Sequence, residues 1–184
     1  MDTIQELKET YLRIAGFIPE SIVDGEGIRA SIYTQGCPHK CEGCHNPHTH
    51  EPLAGERVTL FSLVEKIEKN PLLSGVTFSG GEPFLQAHKL VPLAKYLKGK
   101  GLNIWCYSGY TLEEIKALGH VEPCVCELLN LVDVLVDGPF DIDLKNETLA
   151  FRGSSNQRII DMNETLKKKN KDREVVLKKI KEKS

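Results

Sequence analysis

Long apolar runs are absent from this 184-residue chain. No stretch approaches the roughly 20 apolar residues that a membrane-crossing helix needs. The opening Met1-Asp2-Thr3-Ile4-Gln5-Glu6 is acidic and polar, so no secretion signal is expected and the default location is the cytoplasm. Internal repeats are absent, and no linker interrupts the chain before about residue 163. No obvious acid–base dyad stands out. Large net charge is also missing, at −2 overall, which gives no reason to expect nucleic acid as a partner. What remains is an ordinary balance, 40% apolar and 27% charged, sized for one core and one domain.

The charge is unevenly spread. Residues 164–184 hold nine Lys/Arg and four Asp/Glu, a balance of +5; subtracted from 24 and 26, this leaves 15 and 22 for residues 1–163, a balance of −7. The division is therefore a domain over 1–163 and a basic tail over 164–184, expected to be helical.

Six cysteines are present, and three of them fall in Cys37-Pro38-His39-Lys40-Cys41-Glu42-Gly43-Cys44, with no fourth nearby. With no secretion signal, clustering of this kind points to metal or redox chemistry rather than disulfides. A closed structural site takes four protein ligands. Three thiolates spaced C-x3-C-x2-C suit three irons of a [4Fe–4S] cluster and leave the fourth open. By spacing alone, a zinc knuckle borrowing His39, His45, His48 or His50 stays open as a second reading. Cys106 sits in an apolar strand and reads as a small core residue. Cys124-Val125-Cys126 lacks C-x2-C spacing, and a second metal site there is the lesser reading.

Strands and helices alternate along the chain. Residues 28–35, 75–79, 102–107 and 132–136 read as strands, and 59–70, 84–98 and 111–118 as helices; residues 1–12 read as a short helical or frayed lead-in. Such alternation argues for parallel β/α units, as an open sheet or an incomplete barrel, with ligands at the carboxyl ends of the strands. Cys37–Cys44, Ser79-Gly80-Gly81-Glu82-Pro83, Tyr107-Ser108-Gly109-Tyr110 and Asp137-Gly138 all follow strands.

The cysteine loop followed by Gly80-Gly81-Glu82-Pro83 resembles the radical S-adenosylmethionine (SAM) superfamily. Asp24-Gly25-Glu26-Gly27-Ile28-Arg29 resembles the lead-in of its glycyl-radical-activating members. Cys44-His45-Asn46-Pro47, the segment from Trp105 to Thr111, Val134–Phe140 and Phe151–Arg158 are similar to the subgroup acting on anaerobic ribonucleoside-triphosphate reductase. The resemblance covers about residues 16–162. It implies an incomplete parallel β/α barrel of the radical SAM type. It also implies a [4Fe–4S] cluster on Cys37, Cys41 and Cys44, with SAM on the open iron.

Further roles follow from the same resemblance. Gly80, Gly81 and Glu82 would meet the SAM amino group, and Ser108 and Asp137 would line its pocket. Gly43 stands where the wider superfamily has an aromatic residue, so adenine contact passes to backbone there and to the His45 ring. Arg29, Asn156 and Arg158 would meet a carboxylate or the partner's backbone, with surface salt bridges as the plainer reading. The implied activity is reductive cleavage of SAM and formation of a glycyl radical on the reductase large subunit, with an electron donor such as flavodoxin or ferredoxin. The resemblance does not explain residues 164–184; from its charge alone, the basic tail is expected to help dock the reductase. The alternatives are another glycyl-radical enzyme, a small-molecule substrate, or a non-catalytic metal-binding module.

Overall fold

A computed structural model describes residues 2–167 and 175–180. Seven strands make one mixed sheet in the order β3-β1-β2-β4-β5-β6-β7. They are β1 (Tyr11–Ser21), β2 (Arg29–Thr34), β3 (Glu56–Thr59), β4 (Gly75–Gly80), β5 (Asn103–Tyr107), β6 (Val134–Asp137) and β7 (Arg158–Asp161). The centre, β2-β4-β5-β6, is parallel. Antiparallel strands flank it, β1 and β3 on one side and β7 on the other. The helices are α1 (Thr3–Glu9), α2 (Leu60–Glu68), α3 (Ala87–Gly99), α4 (Leu112–Val121), α5 (Pro123–Leu131) and α6 (Met162–Lys167). None of them is long and apolar enough to cross a membrane.

The parallel centre follows the sequence closely. Thr59 caps α2 by accepting from the Ser62 N–H, and Thr111 with Glu114 forms a capping box at α4. Leu60, Leu63, Val64 and Ile67 of α2, and Leu90, Leu93, Ala94 and Leu97 of α3, are buried at helical spacing. They pack on the sheet face that carries Ala30, Ile32, Val76, Phe78, Ile104 and Leu135. Cys106 lies in this core, fully buried, and burial pushes its thiol well up. It is a core residue, as its strand context indicates.

The opposite face is polar at β2 and β4 and apolar at β5 to β7. Trp105, Val134, Val136 and Ile159 form a small cluster there, with Phe151 and Ile180 against it. Arg29 crosses this face and is 1% exposed. Its guanidinium donates to Thr77 Oγ1 (2.7 Å), Val76 O (2.8 Å) and Asn103 O (3.0 Å), and lies 5.4 Å from the Trp105 ring. Desolvation lowers its pKa to about 10, so it stays charged at neutral pH. The reading of Arg29 as a group facing a partner gives way to a structural one, because it is buried and its hydrogen bonds go to internal groups.

Four elements differ from the sequence reading. Residues 11–21 form a long strand, not the end of a helical lead-in. β1 buries only Leu12, Ile14 and Ser21, so its alternation is faint in the sequence. β3 and β7 are four residues each. α5 begins with Pro123 at its first turn and buries Val125, Leu128 and Leu129 at helical spacing, a short pattern interrupted by the cysteine pair.

The basic tail is helical only at its start among the described residues, where α6 reaches Lys167. Residues 168–174 and 181–184 lie outside the described residues. Residues 175–180 run extended along β7: the Asp161 N–H donates to Val176 O and the Lys178 N–H to Ile159 O, both at 2.8 Å. An open strand edge beside Val175-Val176 favours added strand pairing over helix.

Candidate functional site

Four segments converge on one cleft at the carboxyl ends of β2, β4, β5 and β6, with a volume of about 690 Å³. Cys37, Cys41 and Cys44 line it, together with Ser79-Gly80-Gly81 and Tyr107-Ser108-Gly109. All three cysteines are free and half-buried. Burial raises the Cys37 thiol, with the Glu82 charge adding to it and the backbone N–H groups of His39 and Lys40 opposing it; a bound cation would also oppose it.

Of the histidines of the zinc reading, His39, His45 and His50 also line the cleft, and the buried His50 Nε2 has no partner. His39 Nε2 faces Glu82 Oε2 at 3.0 Å, and the His45 ring packs on Phe140 with centroids 4.9 Å apart. Among the described residues, no three ligating side chains close on a single ion. Three free thiols around an open cleft fit a cluster, whose irons hold their thiolates further apart than one ion does.

The glycine loop is fastened to the cysteine loop through backbone. The Gly81 N–H donates to Thr34 O and the Glu82 N–H to Gly36 O, both at 2.8 Å. Gly36 immediately precedes Cys37. A Cβ on Gly81 would meet Gly36 O at 2.2 Å, and one on Gly80, where φ is +93°, would meet Tyr33 and Thr34 backbone at 2.7 Å. Glycine is demanded here by protein backbone as well as by any ligand.

Glu82 differs most from its expected place. Its carboxylate is fully buried and turned inward, not toward a ligand ammonium. It accepts from the Phe84 N–H (3.1 Å), the Ser108 hydroxyl (3.0 Å) and the Gly109 N–H (3.0 Å), besides facing His39. One carboxylate thereby ties the cysteine loop to the ends of β4 and β5. Ser108 spends its hydroxyl on Glu82 while still lining the cleft.

Asp137 is likewise committed. It is 1% exposed, accepts from the Leu112 N–H at the start of α4 (2.7 Å), and pairs with Arg158, whose Nη2 lies 2.5 Å from Oδ2. Arg158 also reaches Glu113 at 2.7 Å, so its salt-bridge reading holds. Asn156 donates to Pro139 O at 2.8 Å and steadies the 138–157 loop. Asp137 and Arg158 have their polar atoms engaged by internal partners, while Asn156 is exposed and only its amide nitrogen is engaged.

Gly43 has φ +70°, and a Cβ there would lie 2.7 Å from Ile142 Cδ1 and 3.4 Å from the Phe140 ring. An aromatic side chain at 43 is therefore excluded, and the aromatic surface comes from Phe140 with His45. Phe140 lines the cleft; sequence spacing gave no signal for it, because it arrives from another segment 97 positions on. Asp24 opens the Asp24–Arg29 segment. In the structure its Oδ2 accepts from the hydroxyls of Ser21 (2.6 Å), Ser31 (2.7 Å) and Tyr33 (3.0 Å) at the cleft wall. Burial first, and Asp24 second, keep the Tyr33 phenol protonated. Arg152 also lines the cleft, giving one bond to Gln157 O (2.9 Å) while its buried Nε has no partner.

A family model described as "4Fe-4S single cluster domain" matches residues 23–160. The anaerobic ribonucleoside-triphosphate reductase-activating protein of Pasteurella multocida is 33% identical over 151 residues, spanning 78% of this chain and 93% of that protein. A putative glycyl-radical enzyme activating enzyme of Haemophilus influenzae is 36% identical over 149 residues, spanning 79% of this chain but 52% of that protein. Among solved structures, QueE from Escherichia coli gives a TM-score of 0.46 at 20% identity, covering 60% of this chain and 57% of that one, a likeness too slight to bear on the argument.

Proposed function

The chain belongs to the 4Fe-4S single cluster domain family, together with the anaerobic ribonucleoside-triphosphate reductase-activating proteins, and on that premise we propose that it is a radical SAM activase. Its substrate is a glycine in a protein loop of an anaerobic ribonucleoside-triphosphate reductase. The activity is assigned to residues 1–163, on an incomplete β/α barrel of the radical SAM type. The observation that carries the reading is the meeting of Cys37, Cys41 and Cys44 with Gly80-Gly81 and Ser108-Gly109 in one cleft.

Cys37, Cys41 and Cys44 would hold three irons of the cluster. When bound, the cluster and SAM supply reductive cleavage of the sulfonium C–S bond, and from it a carbon radical able to take hydrogen from a glycine. The chain's own residues position and shield. Gly80 and Gly81 leave an uncluttered backbone ledge for the amino group of SAM. Phe140 and His45, beside Gly43 and tilted against each other, offer aromatic surface for adenine. Glu82 and Asp137 act behind the wall, holding Ser108-Gly109 and the start of α4 in place. The cleft stays open at Ile22 and Val23, which are 71% and 69% exposed, and a partner's loop enters there.

The test is chemical. Anaerobically reconstituted protein given dithionite and SAM should release 5′-deoxyadenosine and methionine. No release, with the cluster intact and reduced, would leave a metal-binding module. The Haemophilus influenzae relative favours a second reading, in which the partner is a different glycyl-radical enzyme. Presenting both candidate partners separates the two.

A further inference from the structure

Outside the cleft lies a shallow hollow of about 410 Å³ edged by Arg13, Arg57, His88 and Lys89, with Glu9, Thr10 and Tyr11 completing its lining. None of these four lines the cleft. Arg13 and Arg57 face each other directly across the β1–β3 pair, where like charges cost stability. Lys89 stands in the first turn of α3, at the positive end of that helix, with no acidic residue in the turn. Among the described residues no carboxylate pairs with Arg13, Arg57 or Lys89. Arg13 gives its guanidinium to the carbonyls of Leu53 and Ala54, and Arg57 lies over the Tyr11 ring at 4.9 Å. Burial, and then Arg57 and Arg13, lower the Lys89 pKa. The fold thus gathers three cations with internal contacts for two of them but no carboxylate paired to any.

The place of the hollow matters. The Gln35 N–H donates to Arg13 O at 3.0 Å, and the Gln86 amide bridges Arg13 O and Gln35 O. Gln35 is two residues before Cys37, a chain reach of at most about 7 Å. The patch is thus bonded to the strand that delivers the first cluster ligand. Residues 1–163 carry −7 with these three cations included, so an acidic protein is repelled by most of the body and drawn to cationic patches such as this one.

We propose that the Arg13–Arg57–Lys89 hollow is the docking surface for an acidic one-electron donor protein that reduces the cluster from outside the cleft. The proposal rests on the activase reading. The donor loses one electron, the cluster gains it in passing from the 2+ to the 1+ state, and no proton moves. Entry from this side leaves the cleft free for SAM and the partner's loop. An electron-transfer encounter of this kind needs only a small, charge-steered contact.

Reduction of the reconstituted cluster is followed by its visible absorbance and by electron paramagnetic resonance. The probe is flavodoxin hydroquinone at low ionic strength, against photoreduced deazaflavin as a small reductant that needs no docking. Arg57→Glu/Lys89→Glu should slow flavodoxin reduction by about tenfold or more and leave deazaflavin reduction unchanged. The wild-type rate should fall with added salt, and the variant's should not. Equal flavodoxin rates in variant and wild type, with deazaflavin reducing both, overturn the docking surface alone. A wild-type cluster that neither reductant reduces overturns the activase reading and the proposal with it.

Discussion

Glu82 ranks with the cysteines in how much of the site depends on it. A buried carboxylate with four internal donors is stable only while all of them stay in place. Glu82→Gln turns one acceptor into a donor facing the Gly109 N–H and the Ser108 hydroxyl. The variant should lose about 2–3 kcal/mol in denaturant unfolding, and its SAM affinity should weaken even where iron content is normal. Unchanged stability and affinity would mean that the carboxylate does not tie the loops. Gly43 makes a second prediction. Gly43→Ala should cost about 1 kcal/mol or more, since φ is +70° and Ile142 blocks the added methyl; a calorimetric scan would register it. Iron should fall in Cys37→Ala, Cys41→Ala and Cys44→Ala, and persist in Cys124→Ala and Cys126→Ala, by metal analysis of reconstituted protein.

At the scale of elements, what could be read from the sequence was what is local. Caps at Thr59 and Thr111, apolar spacing in α2 and α3, and glycine-terminated strands placed the parallel centre and put three motifs at strand ends. What escaped depends on partners distant in the chain. Arg29 looks like a surface cation until β4, β5 and Trp105 close over it, and Asp137 looks like a ligand until Arg158 arrives from β7. β1 hides its strand character because only three of its eleven residues are buried. The 175–180 segment gives a prediction of its own. It lies along β7 with Val175 against the main core and Ile180 against the Trp105 cluster. Removing residues 175–184 should destabilise the fold, measured as a lower unfolding midpoint, through lost strand pairing and apolar cover. A tail that acts only by docking would leave the midpoint unmoved.

For the whole molecule, the sheet sorts its two faces and two ends by task. One face carries the helices and the core. The carboxyl end of the parallel strands carries the cleft, while the β1–β3 corner carries the cations. The antiparallel flanks, β1 with β3 and β7 with the 175–180 segment, brace the parallel centre from both sides. The account's central claim is that this cleft creates a radical on a glycine of another protein. The most direct measurement is electron paramagnetic resonance of the anaerobic mixture of this protein, SAM, reductant and the candidate reductase. We predict a glycyl-radical doublet that appears only when all four are present and is lost in Cys37→Ala. A reductase that stays without a radical, while the same preparation cleaves SAM, would contradict the claim.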